Sequence, residues 1–347
     1  MIYLFVGIIL LIFAFMEALK YNRWFSLASL NIISIILLLF AVLRDGSIVG
    51  TDSPAYFLNY KYDFWQTEPA YKFLNRFFSR TLAVQYNWFL LFLNSISLLL
   101  IAKYLRRNTI FFALPLLIFF SDLYLYFNIS GIRQAMALSF VCFSLYYAIK
   151  RNLKVFLLLI GIAATFHVSS LVFAFAYFIP KTTFRFKQIL LLGVFFAVAV
   201  VVGNYLAANF EYLTTKADYY TKYQEQSENI AVNYVVGIAK RSVILLLAFI
   251  YRKRLFTDKK FIYIFNIYLV GFLIFVGTYL ISPDFGVRFS VYYTIHEIVL
   301  AGMMLAMIKG GRQRIFIVAV FSAICMYKLV GYMNNEYYTY KSIIDYL

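Results

Sequence analysis

Six ionisable residues are candidates for chemistry; four lie in apolar stretches of this sequence or at their ends, and two lie in the long loop at about 44–85. A charged side chain at the centre of a membrane helix costs about 2.5–3.5 kcal/mol on insertion scales. The six are Arg133, Arg241, Arg288, Asp52, Glu68 and His167. Arginine binds phosphate groups through paired N–H donors, while a carboxylate or an imidazole can take a proton from a hydroxyl. These residue types predict a site that holds a lipid phosphate or diphosphate head group and activates a nucleophile.

Most of these residues also have a structural explanation, and the sequence leaves it open. Asp52 precedes a Ser-Pro helix start and could be a capping carboxylate in a solvated loop. Arg133 lies near the end of its apolar stretch and could extend to the membrane interface. Arg288 could pair with Asp284, and His167 could be a hydrogen-bonded core histidine. Arg241 is harder to explain in this way, because it lies in mid-stretch.

Other ionisable residues in apolar stretches rank lower as candidates. They are Asp122, His296, Glu297 and Lys328.

The sequence contains no pattern for a metal or a nucleotide. There is no Asp-x-Asp pair, and the two cysteines, Cys142 and Cys325, lack metal-ligand spacing. Walker A and dinucleotide-binding motifs are also absent. We therefore predict no metal and no cofactor, with arginine alone stabilising the charge on a leaving phosphate.

The composition predicts an all-α polytopic membrane protein that forms a single integral domain over residues 1–347. Of the residues 64% are hydrophobic and only 14% are charged, whereas soluble domains have roughly 45–50% apolar residues. About 20 apolar residues in a row can span the bilayer as a helix. The predicted spans lie near 2–18, 25–43, 86–103, 110–127, 130–149, 188–210, 233–250, 261–282, 288–308 and 315–331.

The net charge of +17 is explained by topology and does not indicate nucleic-acid binding. Six short connections between spans carry nineteen basic and two acidic residues, so the positive-inside rule places these connections in the cytoplasm. Both termini and two longer loops, at about 44–85 and 211–232, are then predicted to lie outside.

The segment 153–179 is predicted to be a broken or re-entrant helix pair. Basic clusters on both sides place both of its ends in the cytoplasm, yet it is too short for two crossings of roughly 20 residues each. We expect the break near 165–170. Non-helical backbone at membrane depth is tolerated only inside protein or beside a water-filled cavity.

The loop at 44–85 is predicted to contain two short helices. One begins at Ser53-Pro54 and the other at Glu68-Pro69, because proline is favoured in the first helical turn. The second helix is amphipathic over 71–82, as in a helix that lies in the plane of the membrane interface.

Five motifs in this order resemble those of the EpsG family, which includes Wzy-type polymerases of oligosaccharide repeat units. They cover most of the chain, although no motif maps to 211–260. The matching segments are Arg44–Tyr56, Glu68–Asn75, Ile132–Ala137, Thr165–Leu171 and Arg288–Tyr293.

The resemblance implies a GT-C-like fold and glycosyl transfer on the periplasmic face of the bacterial inner membrane. A growing glycan would move from undecaprenyl diphosphate to a sugar hydroxyl of another lipid-linked repeat unit. Either Asp52 or His167 would be the catalytic base. The substrate-binding residues would be Arg44, Glu68, Arg133, Gln134, Arg241 and Arg288.

The expected partners are the undecaprenyl-diphosphate-linked oligosaccharide, membrane lipid and a chain-length regulator, with no nucleic acid. Two alternatives remain open. A flippase of lipid-linked oligosaccharide would use the same arginines without a base, although such transporters commonly show internal repeats. A different membrane-embedded glycosyl- or acyltransferase is the other alternative.

Overall fold

The computed structural model describes residues 1–195, 198, 230–280 and 283–346. These residues form helices and no strand. In chain order the first eight α-helices are α1 (Ile2–Leu19), α2 (Arg23–Val42), α3 (Ser53–Tyr62), α4 (Pro69–Arg76), α5 (Tyr86–Asn108), α6 (Ala113–Phe119), α7 (Ile132–Ile149) and α8 (Leu153–Ala164). The helix that precedes α7 is a π-helical segment, Phe120–Ser130, which continues directly from α6. A 3₁₀ helix (Val168–Phe178) follows α8, and the later helices are Phe186–Phe195, Ile230–Ile250, Arg252–Leu255, Lys259–Thr278, Pro283–Thr294, Glu297–Met307 and Gly311–Met333.

The all-α, multi-pass membrane prediction is confirmed. Nine helices among the described residues are long and apolar enough to cross a membrane, and each corresponds to a predicted span. The tenth predicted span, 188–210, is described only at 188–195 and 198, and most of the predicted loop at 211–232 lies outside the described residues.

The described chain divides into two compact units. The first unit contains residues Met1–Ala174 and Ile298–Leu347, and the second contains Phe175–Glu297.

One end of the first unit, here called the basic end, carries four of the six basic connections. Arg107 lies over the Tyr146 ring, with its guanidinium carbon 4.4 Å from the ring centroid. Arg314 lies over Phe111 in the same way, at 5.1 Å. The first contact joins the end of α5 to the end of α7. The second joins the start of helix Gly311–Met333 to the connection between α5 and α6. The shared location of these basic connections is what the positive-inside rule requires.

Glu17 is one of the two acidic residues that the sequence analysis counted with the basic connections, but it lies inside α1. Its side chain is fully buried in the last turn of α1. Its Oε2 accepts hydrogen bonds from the backbone N–H groups of Phe112 and Ala113, at 2.9 and 3.0 Å. Glu17 therefore caps the start of α6, where unpaired N–H groups would otherwise be buried.

The opposite end of the first unit, here called the loop end, carries residues 43–85 and 334–346. The two segments are joined by backbone hydrogen bonds, which run from Asp45 N–H to Lys341 O and from Gly50 N–H to Tyr337 O, each 2.8 Å long. The Tyr3 hydroxyl, near the start of α1, donates to Tyr338 O at 2.6 Å. The start of α1 and the segment 334–346 therefore lie at the end of the first unit opposite to its basic connections.

The two helices predicted in the loop are confirmed as α3 and α4. Each has a proline in its first turn. After α4 the chain continues as a wider π-helical turn, Phe77–Thr81. Phe73 and Phe77 are exposed on this segment and their rings stack with centroids 6.2 Å apart, which suits a helix that lies at a membrane interface.

The break predicted in 153–179 is also confirmed. Helix α8 has 12 residues, about 18 Å of rise, and the 3₁₀ helix starts after residues 165–167. The ring of Phe156, in the first turn of α8, lies 6.1 Å from that of Phe173 in the 3₁₀ helix. Because Phe156 lies near the far end of α8 from the break, the 3₁₀ helix must double back along α8.

Within the second unit, helix Lys259–Thr278 binds the segment that follows the 3₁₀ helix. Asn266 Nδ2 donates to the carbonyls of Pro180 and Thr182, at 2.9 and 2.7 Å. Asp258 caps the start of the same helix by accepting the Lys260 N–H at 2.7 Å.

The hairpin makes a direct prediction about topology. A tag inserted at Arg185 should report the same side of the membrane as a tag inserted at Asn152, because the chain between them enters and returns. A tag at Phe64, in the loop between α3 and α4, should report the opposite side. Site-directed cysteine labelling checks this, and opposite sides for 152 and 185 would mean that 153–179 crosses the membrane.

Candidate active site

Arg133 lies at the centre of a polar cluster at the loop end. It is in the first turn of α7, so its side chain is anchored by a membrane-spanning helix. Its Nη1 donates to Glu68 Oε2 at 2.5 Å, and its Nε donates to the Tyr56 hydroxyl at 3.0 Å. The side chains of Arg133 and Glu68 are 15% and 18% exposed, so this charge pair is mostly shielded from water while part of it stays accessible.

Two aromatic rings surround the Arg133 guanidinium. Its central carbon lies 4.8 Å from the Trp65 ring centroid and 5.5 Å from that of Tyr56. Both distances are within the range of cation–π attraction. The remaining terminal nitrogen, Nη2, has no hydrogen-bond partner among the residues that the structure describes, and it can therefore donate to a bound anion.

Tyr56 contributes a neutral hydroxyl to this cluster. It lies in α3, its side chain is buried, and that burial raises the pKa of its phenol. The phenol therefore remains protonated near neutral pH, so Tyr56 is a hydrogen-bonding partner and not a base.

His167 lies beside the same carboxylate, at the break after α8. Its Nδ1 is 4.0 Å from Glu68 Oε1 and 2.9 Å from Ser169 Oγ. The break itself is fixed to α4, because the Ala70 N–H donates to Thr165 O at 3.0 Å. One carboxylate therefore lies between a guanidinium and an imidazole.

The turn before α3 holds Asp52 in place. The Asp52 N–H donates to Ser130 Oγ at 2.9 Å, and the Thr51 and Ser130 hydroxyls are 2.6 Å apart. Gly50 has φ +111°, and a Cβ there would lie 2.8 Å from Ser53 Oγ, so the turn requires glycine. Asp52 is exposed and its carboxylate caps no N–H of α3, so the capping explanation is not observed.

Arg44 is placed differently from the other site candidates. It is 1% exposed, and its two terminal nitrogens donate to Ala41 O at 2.7 Å and Ile129 O at 2.6 Å. Burial lowers the pKa of this guanidinium. These contacts favour a structural role, in which Arg44 ties the end of α2 to the helix that precedes α7.

Gln134, next to Arg133 in α7, is buried. The other two predicted arginines belong to the second unit. Arg241 Nη1 donates to Gly237 O at 3.2 Å, and its guanidinium carbon is 3.7 Å from the Phe275 ring centroid. Arg288 lies half-buried in helix Pro283–Thr294.

Sequence reasoning did not single out Tyr56, Trp65 or Ser169. Tyr56 closes the Arg44–Tyr56 motif, which was a usable signal. Trp65 is one of three tryptophans and lies in a polar loop, where an aromatic side chain is worth testing as a ligand contact. Ser169 follows His167 by two positions, but only the bend of the chain directs its hydroxyl to the imidazole.

The described residues contain no group of three or more His, Cys, Asp and Glu side chains able to hold a metal. The cluster instead offers a guanidinium donor, an imidazole and aromatic surfaces. Such a set can bind a phosphate oxygen, accept a proton and contact a sugar face.

A family model described as the EpsG family matches residues 27–346. The chain belongs to the EpsG family. Membership in EpsG indicates a membrane protein of polysaccharide polymerisation. Neither a curated protein nor a solved structure was found to match the chain.

Two arginines of this EpsG protein should respond differently to substitution. Replacing Arg44 by alanine removes the side-chain donor of the Ala41 carbonyl and leaves the Ile129 carbonyl with the Ser53 hydroxyl alone. The loss of these buried hydrogen bonds and of a buried side chain should destabilise the protein by about 2–4 kcal/mol. Replacing Arg133 together with its partner, as Arg133→Ala with Glu68→Ala, leaves no unpaired charge and should change stability by about 1 kcal/mol or less. Thermal unfolding of the purified variants in detergent measures both. Equal loss of stability in the two cases would contradict the distinction.

Proposed function

We propose that this protein is a membrane glycosyltransferase that polymerises lipid-linked oligosaccharide repeat units. The growing glycan is transferred from undecaprenyl diphosphate to a sugar hydroxyl of another lipid-linked unit. The observation that carries the proposal is the Arg133–Glu68–His167 cluster at the loop end, in a chain of the EpsG family.

In this proposal Arg133 binds the diphosphate of the donor. Its Nη2 has no partner in the described part of the chain, so it donates to a non-bridging phosphate oxygen. Glu68 and Tyr56 hold the other two nitrogens and fix the direction of this donor before substrate arrives. Because this hydrogen-bond donor is already in place, it stabilises the charge that develops on the leaving diphosphate, and the protein does not have to rearrange during the reaction.

The chemical step forms one bond and breaks one. The acceptor hydroxyl oxygen bonds to the anomeric carbon of the donor sugar, and the bond from that carbon to the diphosphate oxygen breaks. The diphosphate leaves with the bonding electron pair, and the hydroxyl proton goes to the base. An oxocarbenium-like transition state, as in glycoside hydrolysis, gains from the fixed charges nearby.

His167 is the base in this proposal. Glu68 Oε1 lies 4.0 Å from His167 Nδ1, so the carboxylate stabilises the imidazolium that forms when the proton arrives. Asp52 is exposed at the start of α3, close to Ser130 at the end of the helix before α7, and we assign it to the binding of the acceptor sugar.

The loop end faces the periplasm in this proposal, and the basic end faces the cytoplasm. The distribution of basic connections supports this orientation. Arg241 and Arg288 are proposed to bind further phosphate oxygens of the lipid-linked substrates. Arg288 lies within the helix that carries the last family-like motif.

The activity can be tested by complementing a deletion strain with single variants. Without the gene, the surface glycan should collapse from a ladder of chain lengths to one repeat unit. Arg133→Ala and His167→Ala should fail to restore the ladder, because the loss of a phosphate donor or a general base costs about 100-fold or more in rate. Gel analysis of the glycan shows the chain lengths in each strain, and immunoblots show whether each variant is present at the wild-type level.

Arg80→Ala is the matched control, because Arg80 is an exposed arginine in the same loop and should restore the full ladder. If the deletion strain still makes long chains, the polymerase proposal fails. If it loses the single repeat unit as well, and lipid-linked units accumulate inside the cell, the flippase alternative is correct.

A further inference from the structure

A cavity of about 400 Å³ lies at the basic end of the first unit, away from the candidate active site. Its volume is within the range of ligand pockets, roughly 300–1,000 Å³. The cavity lies between the start of α2 and the end of α5, where the connections α1–α2 and α5–α6 meet. Its polar lining comes from Tyr21, Arg23, Arg106 and Thr109.

The two arginines give this cavity its chemistry. Arg23 is the first residue of α2 and Arg106 is in the last turn of α5. Neither side chain has a hydrogen bond, ion pair or ring contact with any residue that the structure describes. By contrast, Arg107 and Arg314 at the same end stack on aromatic rings. Arg23 and Arg106 are both exposed, so their guanidinium groups can be reached from outside. With no protein carboxylate in the cavity lining, both can donate to one anion that enters the cavity.

The surroundings of the cavity favour a lipid as the source of that anion. Trp24, next to Arg23, is 79% exposed, and tryptophan and tyrosine are enriched at the head-group level of membranes. The rest of the wall is apolar and includes Leu27 and Phe112. Basic pockets between helices at the cytoplasmic surface bind phosphorylated lipid head groups.

The nearby carboxylate of Glu17 lies outside the cavity lining. Glu17 is fully buried, and its Oε2 accepts two backbone N–H groups.

We propose that Arg23 and Arg106 form a binding site for the phosphate of an anionic membrane lipid, such as phosphatidylglycerol, at the basic end of the protein. This site is separate from the candidate active site and does not depend on the proposed function. The bound lipid would neutralise the two arginines and join α2 to α5.

Native mass spectrometry of the purified full-length protein in neutral detergent tests the site, with phosphatidylglycerol as the probe. The comparison lipid is phosphatidylcholine, a zwitterion without net charge. We expect Arg23→Gln with Arg106→Gln to weaken phosphatidylglycerol binding roughly 10- to 30-fold, because each basic residue near an anionic lipid contributes about 1 kcal/mol. The variant Arg23→Lys with Arg106→Lys keeps both charges and should therefore keep most of the binding. It also shows that the fold tolerates changes at these two positions.

The matched control is Lys154→Gln with Arg312→Gln, which removes two exposed basic residues outside the cavity lining. This control should bind phosphatidylglycerol as the wild type does. Equal weakening in the control, or equal binding of the two lipids by the wild type, would overturn the site. The last measurement adds millimolar inorganic phosphate as a competitor of the lipid. If it displaces the lipid completely and protects the wild type from thermal unfolding as well as the lipid does, the assignment to a lipid is wrong.

Discussion

The ion pair between Glu68 and Arg133 is the contact on which the candidate active site depends. It joins the start of α4 to the start of α7, and the same carboxylate lies 4.0 Å from the imidazole at the break after α8. With its partner removed, either charge would remain in a mostly dehydrated place, which costs about 3–5 kcal/mol. The pair therefore positions the loop relative to α7, and it leaves the remaining donor of Arg133 available for the phosphate of the proposed substrate.

A second constraint comes from the hairpin of α8 and the 3₁₀ helix. Backbone that stops being helical at membrane depth needs partners within the protein. Here Thr165 O accepts the Ala70 N–H, so α4 supplies one such partner. This one hydrogen bond gives a partner to a carbonyl at the break and also holds the neighbouring His167 in position. This explains why a short amphipathic loop helix and a broken membrane helix occur together at one end of the bundle.

The helices could be predicted because long apolar stretches and charged connections follow directly from the bilayer. The break was predicted from segment length, and the starts of α3 and α4 from proline. The pairing of Glu68 with Arg133 could not be predicted, because the two are 65 positions apart and meet only through the turn after α3, where Asp63 has φ 53°. The buried roles of Glu17 and Arg44 depend on neighbouring helix ends, which no local pattern reveals.

The most direct test of the central claim uses purified protein in liposomes with a lipid-linked repeat unit as the only substrate. A polymerase must release one undecaprenyl diphosphate for each new glycosidic bond, and mass spectrometry can count both products. We expect the wild type to form lipid-linked dimers and longer chains with this one-to-one ratio, and Arg133→Ala to form neither. Movement of intact units across the bilayer without elongation, or full elongation by Arg133→Ala, would contradict the account.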